Sequence, residues 1–393
     1  MANTVYDVTT WPGATVSPYV DLGAVINQII ADIKVNQTTQ TTRPGAVIYI
    51  PPGHYDLKTR AVIDVSFLEI KGSGHGFLSE AIRDESSTGS WVETQPGASH
   101  VRVVNTDGNK EAFLVQRSGN PSTVGRLNSV VFRDFCIDGV TDSKPYEPGN
   151  QKIGISVQSD NDAFRVEGMG FVYLRNALII NGADAPNITN NFMAEVGSCI
   201  SLTGASQVAK ITNNFLISAW AGYSVFAENA EGIAINGNTV LWACNITLNN
   251  SNRASITGNK LLSNFPSMVA LTGSCSESLI SSNHFRRVYG DGTSTRYDDL
   301  FGLVHIEGSN NAVTANQFSL NVPTGNVTPS GANPTIILVA SGNANFLASN
   351  NISANQSVKI VLDASTTATK LLYTAASGQV SAFTTNYSLV ATP

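Results

Sequence analysis

Charge is the first thing this chain lacks. Lys and Arg number 23 and Asp and Glu 29 among 393 residues, so 13% are charged, about half the usual fraction. Lys and Arg form no run and the net charge is −6, which argues against nucleic acid or an anionic membrane surface as partner. No apolar stretch reaches the ~18 residues that span a bilayer. The opening MANTVYDVTT has neither the basic nor the apolar region of a secretory leader. A soluble protein is expected, with secretion and cytoplasm both open. Cysteine is sparse: Cys136, Cys199, Cys244 and Cys275 show no CxxC spacing and suit buried thiols better than a disulfide framework or zinc site. The five histidines are scattered without HExxH, so no metal site is expected. P-loop, GxSxG and Rossmann signatures are also missing.

What is present is apolar and repetitive. Hydrophobic residues make up 42% of the chain, enough for a sizeable core and too much for a disordered one. The segments I-T-N-N-F-M (188–193), I-T-N-N-F-L (211–216), I-N-G-N-T-V (235–240), I-T-G-N-K-L (256–261), I-S-S-N-H-F (280–285), V-T-A-N-Q-F (313–318) and L-A-S-N-N-I (347–352) share one pattern. Its Asn falls at 191, 214, 238, 259, 283, 316 and 350, in steps of 23, 24, 21, 24, 33 and 34. Units of this length, with short β-prone runs between Asn and Gly corners, read as coils of a parallel β-helix. One coil cannot bury its inward face alone, but stacked coils can. Aligned Asn side chains are then expected to form a hydrogen-bonded ladder. V-F-R-D-F-C (131–136) and V-E-G-M-G-F (166–171) fit more loosely, with Asp134 and Met169 read in the place of the Asn.

The expected fold class is therefore all-β, with coils from 45 to 360 behind an N-terminal segment, 1–44. Within that segment DLGAVINQIIADIK places Val25, Ile26, Ile29, Ile30 and Ile33 on one helical face, with Asp21 as N-cap. That helix is expected to close the open end of the stack. The stretch 361–393 reads as a tail that caps the other end or reaches a neighbouring subunit. The two long steps imply loops near 286–300 and 319–334, where a binding face would be built.

Glycosyl transfer typically needs two carboxyl groups, one to protonate the leaving oxygen and one across the sugar. The survey gives Glu195 in A-E-V-G-S-C, Glu228 and Glu231 in A-E-N-A-E-G, Asp298 and Asp299 in Y-D-D-L-F-G, Asp184, Asp160 and Asp162. Each alone reads first as a solvated turn residue; Asp298 and Asp299 stand out for their long loop and aromatic neighbours. Trp220, Tyr223, Phe226, Trp242 and Tyr297 are candidate sugar platforms, against core packing as the plain alternative.

Nearly the whole chain resembles the inulin fructotransferases and their difructose-anhydride hydrolase relatives. The resemblance runs through Y-D-V-T-T-W (6–11), I-P-P-G (50–53), Q-P-G-A-S-H-V-R-V (95–103), F-R-D-F-C-I-D-G-V (132–140), A-E-V-G-S-C (194–199), D-D-L-F-G (298–302) and V-L-D-A-S-T-T (361–367). It implies a right-handed parallel β-helix, assembled as a homotrimer with active sites between subunits and no metal or organic cofactor. The implied reaction releases a terminal difructose unit from β-2,1-fructan as a cyclic dianhydride, or reopens that ring. The family's catalytic Asp and Glu lie eleven residues apart around A-E-x-G-x-C; the matching positions here are Asn190 and Ser201. Neither side chain can act as a general acid. Glu195, at a position where the family also carries an acid, and Glu228 are the possible stand-ins. Asp298, Asp299, Trp220 and Tyr223 are the candidate substrate contacts. Three readings stay open: a fructan enzyme with displaced acids, a non-catalytic carbohydrate-binding relative, and a scaffold turned to another substrate.

Overall fold

The structure is a computed structural model that describes residues 5–35, 45–76, 98–118, 125–139, 150–158, 160–218, 222–242, 245–263, 267–288, 301–320, 334–355, 358–372 and 387–389. The chain divides into two compact units, Met1–Lys210 and Ile211–Pro393. Both are parallel β-helical stacks, as the repeat requires.

In the first unit three walls recur in turn. The first wall stacks Val5–Asp7, Ala46–Tyr49, Leu68–Lys71, Val131–Arg133, Arg165–Glu167 and Asn187–Thr189. The second stacks Gly53–Leu57, Ser99–Val103, Cys136–Asp138, Gly170–Val172 and Phe192–Val196. The third stacks Ala61–Ile63, Glu111–Val115, Ile153–Val157, Asn176–Asn181 and Ser198–Thr203. All pairings are parallel, for example Ile137↔Phe171 and Phe171↔Met193. These inward residues are fully buried, as are Phe113, Phe132 and Phe164, whose rings meet edge to face.

Helix α1, Leu22–Val35, turns Leu22, Val25, Ile26, Ile29, Ile30 and Ile33 inward, the predicted face. Asp21 caps it: its Oδ1 accepts from the Ala24 N–H at 3.3 Å, and also from the N–H groups of Lys58 and Thr59. Asn27 donates to the Arg60 carbonyl at 2.9 Å and accepts from the Val62 N–H at 2.8 Å. One amide thus takes the place of the missing next strand at the edge of Ala61–Ile63 and closes that end of the stack.

The second unit repeats the three walls, with Ala234–Asn236, Ser255–Thr257, Leu279–Ser281, Ala312–Thr314 and Phe346–Ala348 in one of them. The expected ladder is here. Asn214, Asn238, Asn259, Asn283, Asn316 and Asn350 are joined Nδ2 to Oδ1 at 2.9–3.0 Å. Each Oδ1 from Asn238 onward also accepts the backbone N–H of the preceding ladder residue, and each second Nδ2 hydrogen reaches a carbonyl such as Ile235 O at 2.8 Å. These buried amides are satisfied through the coil stack.

Two expectations are corrected. Register Phe132↔Val166↔Ile188 puts Phe135, not Asp134, in the ladder slot beside Met169 and Asn191; Asp134 is the left-handed corner residue before it, with φ of 60°. The slot is buried, so apolar Phe135 fills it, while the corner tolerates a short polar side chain. Strand pairing also runs past residue 360. Thr369–Leu372 pairs with Phe346–Ala348 and Tyr387–Leu389 with Thr369–Leu372, inside the stretch read as a tail. The segments 289–300 and 321–333, where the long loops were expected, lie outside the described residues.

Candidate active site

One coil of the first unit carries Asn190, Glu195 and Ser201. Asn190 is the exposed corner residue between the first and second walls, with φ of 57°. It continues a column of left-handed corners through Asp134 and Gly168, at φ of 60° and 62°. Asn accepts this conformation because its short amide can bond locally. The next residue, Asn191, is buried; its Oδ1 accepts the Met169 N–H at 3.0 Å and its Nδ2 donates to Val166 O at 3.0 Å.

Glu195 closes the other end of the strand Phe192–Val196, again left-handed at φ of 55° and only 5% exposed. Its carbonyl accepts the N–H of Tyr173, the corner residue of the preceding coil, at 3.1 Å. Ser201 lies beyond the next corner on the third wall, paired with Ile179 and facing outward, half-buried. At about 3.3 Å per residue the intervening strand is about 16 Å long. Asn190 and Ser201 therefore open on different walls of their coil. Both are neutral, so neither supplies a proton-handling carboxyl.

Glu228 belongs to the second unit. It faces outward at the end of Val225–Glu228 and accepts from Asn249 Nδ2 at 3.1 Å. Tyr223, 36% exposed, sits on the same stretch with its ring 4.9 Å from that of Phe226. Two rings beside a carboxylate form a surface suited to a sugar's apolar face and hydroxyls. Trp242 is 46% exposed. Trp220, Tyr297, Asp298 and Asp299 lie outside the described residues.

The second wall of the first unit holds a constellation that scattered histidines concealed. Its outward rows run His54–His100–Cys136–Gly170–Phe192 and Asp56–Arg102–Asp138–Val172–Ala194. His54 Nδ1 lies 2.8 Å from His100 Nδ1, and His100 Nε2 lies 3.0 Å from Asp138 Oδ2. His100 and Asp138 are 6% and 2% exposed, while His54 is exposed. Burial first, and then the neighbouring His100 and Arg102, hold His54 below the ordinary imidazole range. Burial pushes the Cys136 thiol well up, with Asp138 adding to it. His75 stacks on Phe192, ring centres 6.0 Å apart, and burial lowers its affinity for a proton as well. The signal that could have found this group is alternation. H-Y-D, H-V-R and C-I-D place apolar Tyr55, Val101 and Ile137 inward and the chemical residues outward.

Around the corner, on the first wall, a cavity of about 700 Å³ is lined by Tyr49, Glu69, Lys71, Ser73, Gly74 and Asp134 among others. Arg133 pairs with both of its carboxylates, Asp134 at 3.0 Å and Glu69 at 3.5 Å.

Residues 282–393 match the β-helix repeat of inulin fructotransferase, and residues 140–333 match a periplasmic copper-binding protein family, NosD. Among the described residues no group of three or more His, Cys, Asp or Glu is arranged to hold a metal. The chain is 77% identical, over all 393 residues and the full length of the relative, to the DFA-I-forming inulin fructotransferase of Arthrobacter globiformis. Among solved structures it is similar to the DFA-IIIase of Arthrobacter chlorophenolicus A6. The complex with GF2 has a TM-score of 0.85 at 39% identity, covering 99% of each chain; the complex with DFA-III has 0.84 at 37%, again covering 99% of each.

Proposed function

From the premise that the chain belongs to the inulin fructotransferase family, we propose that it acts on β-2,1-linked fructan, releasing a terminal difructosyl unit as a cyclic dianhydride. The observation that carries this reading is the 77% full-length identity to a DFA-I-forming enzyme, against 37% and 39% to the DFA-IIIase chains. On the same ground the product is difructose anhydride I. The active assembly is a homotrimer, with Tyr223, Trp220, Asp298 and Asp299 as sugar contacts. No cofactor is needed, because the step exchanges one C–O bond for another.

With Asn190 and Ser201 neutral, proton handling falls to another group. Glu195, in the same coil, and Glu228, beside Tyr223 and Phe226, are the carboxylates offered for it. The neutral pair also favours a second reading, in which the protein binds fructan without turning it over.

Incubation with inulin followed by chromatography separates the two. Accumulation of difructose anhydride I is expected; fructan binding with no product over a long incubation would sink the first reading and leave the second. In an active protein, Glu195→Gln and Glu228→Gln decide which carboxylate serves, through a loss of about 10²–10⁴ in rate. Asn190→Asp with Ser201→Glu is expected to raise fructan cleavage. A folded, fructan-binding double variant with no gain would end the idea of an inherited carboxylate site.

A further inference from the structure

We propose that the first-wall cavity of Met1–Lys210 is a second fructan-binding site, which holds a part of the polymer away from the reacting end. The inference rests on the fructan reading above and deepens it, by giving a place to the chain beyond the terminal difructosyl unit.

Strand register builds the cavity from two outward rows. Val5, Val47 and Glu69 stack in one row, and Tyr49 and Lys71 in the other, with Arg133 next in line. Each row runs from an apolar or aromatic end, where Val5 is 58% exposed, to a charged end. A furanose ring has the same two characters, C–H faces and a rim of hydroxyls. The volume of about 700 Å³ lies within the ~300–1,000 Å³ of small-molecule sites. One edge is G-S-G at 72–74, and its two glycines differ in purpose. A Cβ at Gly72 would lie 2.4 Å from the Asp134 carbonyl oxygen, so glycine lets the turn close on the next coil. Gly74, at φ of 116°, has nothing within 4 Å of its missing Cβ, so glycine there keeps the space open.

Charge selects the class of ligand. Glu69 and Asp134 balance Lys71 and Arg133, so neither a phosphate nor a metal cation meets a net opposite charge. What remains is a set of strong acceptors and donors for neutral hydroxyls. Arg133 fixes both carboxylates, at 3.0 Å from Asp134 and 3.5 Å from Glu69. Among the described residues the Lys71 ammonium has no partner, which leaves its three hydrogens to donate. Tyr49 Oη and Ser73 Oγ, 2.7 Å apart at the exposed edge, add two hydroxyls.

The cavity is distinct from Glu195. That residue lies two coils on, at the far end of Phe192–Val196, a strand of about 16 Å. A long fructan spans this distance. The two sugars that nystose, a fructan tetrasaccharide, has beyond its terminal difructosyl unit do not. Contacts in the cavity are the same before and during the chemical step, so they lower KM and leave kcat alone.

The test uses the full-length protein with long-chain inulin and with nystose. For Lys71→Met, kcat/KM for inulin relative to nystose is expected to fall about tenfold or more, the loss of one hydrogen bond from a charged donor, and to fall through KM. Tyr49→Ala should act in the same direction. Isothermal titration of the Glu195→Gln, Glu228→Gln double variant with inulin should show a second class of site, which Lys71→Met removes. An active wild type whose Lys71→Met and Tyr49→Ala variants both keep the inulin-to-nystose ratio overturns the cavity's role and leaves the fructan reading standing. A wild type that makes no dianhydride, but loses inulin affinity on Lys71→Met, supports the cavity and overturns turnover. A wild type that neither binds nor converts fructan overturns both. A fall in kcat shared by inulin and nystose would make the cavity part of the reaction site and overturn its remote role.

Discussion

The ladder slot is filled differently in the two units. In Ile211–Pro393 it holds Asn in coil after coil, and each amide is satisfied by its neighbours. In Met1–Lys210 it holds Phe135, Met169 and Asn191, so in the earlier of these coils the slot is apolar. The polar chemistry of those coils sits instead on the outward face of the second wall, where His100 and Asp138 are buried although they point away from the core. Regular coils stabilise by repetition. Irregular ones give up the repeat and place titratable groups on an outer wall.

The largest way to break this contrast is Asn259→Leu. It leaves the Asn238 N–H without its acceptor, removes one donor from the Ile235 carbonyl and takes one acceptor from Asn238 Nδ2. At about 1–3 kcal/mol for each orphaned buried group, the loss should be about 3–6 kcal/mol by denaturant unfolding. Met169→Leu, in the slot of the irregular unit, should cost less than about 1.5 kcal/mol. Equal costs would mean that the ladder is decoration on an ordinary core.

Three variants at two glycines compare space with backbone angle. A Cβ at Gly197, between Glu195 and Ser201, would lie 2.5 Å from the Arg175 carbonyl oxygen, so Gly197→Ala must move backbone. A cost of about 1–3 kcal/mol is expected, with a matching change in activity if Glu195 serves the site. Gly258 is a corner residue at φ of 65° whose missing Cβ would meet its nearest neighbour, the Gly237 nitrogen, at an unstrained 4.0 Å. Gly258→Ala should cost about 1 kcal/mol, and Gly258→Asn less, because Asn213 already holds the same corner at φ of 56°. Thermal unfolding of the three variants ranks them; Gly258→Ala costing more than Gly197→Ala would refute the assignment of space to one and angle to the other.

The fold was legible where the sequence repeats. Period, corner chemistry and apolar alternation together fixed the coils, and the helical face with Asp21 fixed the cap. The register of residues 131–136 was not, because an apolar Phe135 in the slot and a polar Asp134 beside it reverse the expected order. The site was less legible for a geometric reason. Residues that stack on one wall are 46 and 38 positions apart at His54, His100 and Asp138, and the intervening segments vary in length. Wall partners of this kind appear only once strand register is known. Conversely, Asn190 and Ser201 are eleven residues apart yet open on different sides of their coil, because the strand Phe192–Val196 and the corner after it separate them.

The smallest expected effect distinguishes the units by pH. His54 and His75 both bind a proton more weakly folded than unfolded, through burial first. The unfolded chain therefore takes up more protons below the ordinary imidazole value of 6.5, and the stability these groups contribute is full above it and lost as pH falls through the window beneath. In the second unit Glu307 is held below the ordinary carboxylate value of 4.5, chiefly by the Gly273 N–H at 2.9 Å and also by His305. Its contribution is present above that value and lost only in more acid solution. Amide hydrogen exchange between pH 7 and 4 should accordingly show the second wall of Met1–Lys210 loosening first. Replacing both His54 and His75 by Gln should remove that early phase and leave the later one, which Glu307→Gln should remove in turn. Loosening of both units at one pH, or an early phase that survives the double replacement, would mean that these histidines do not set the acid response of their wall.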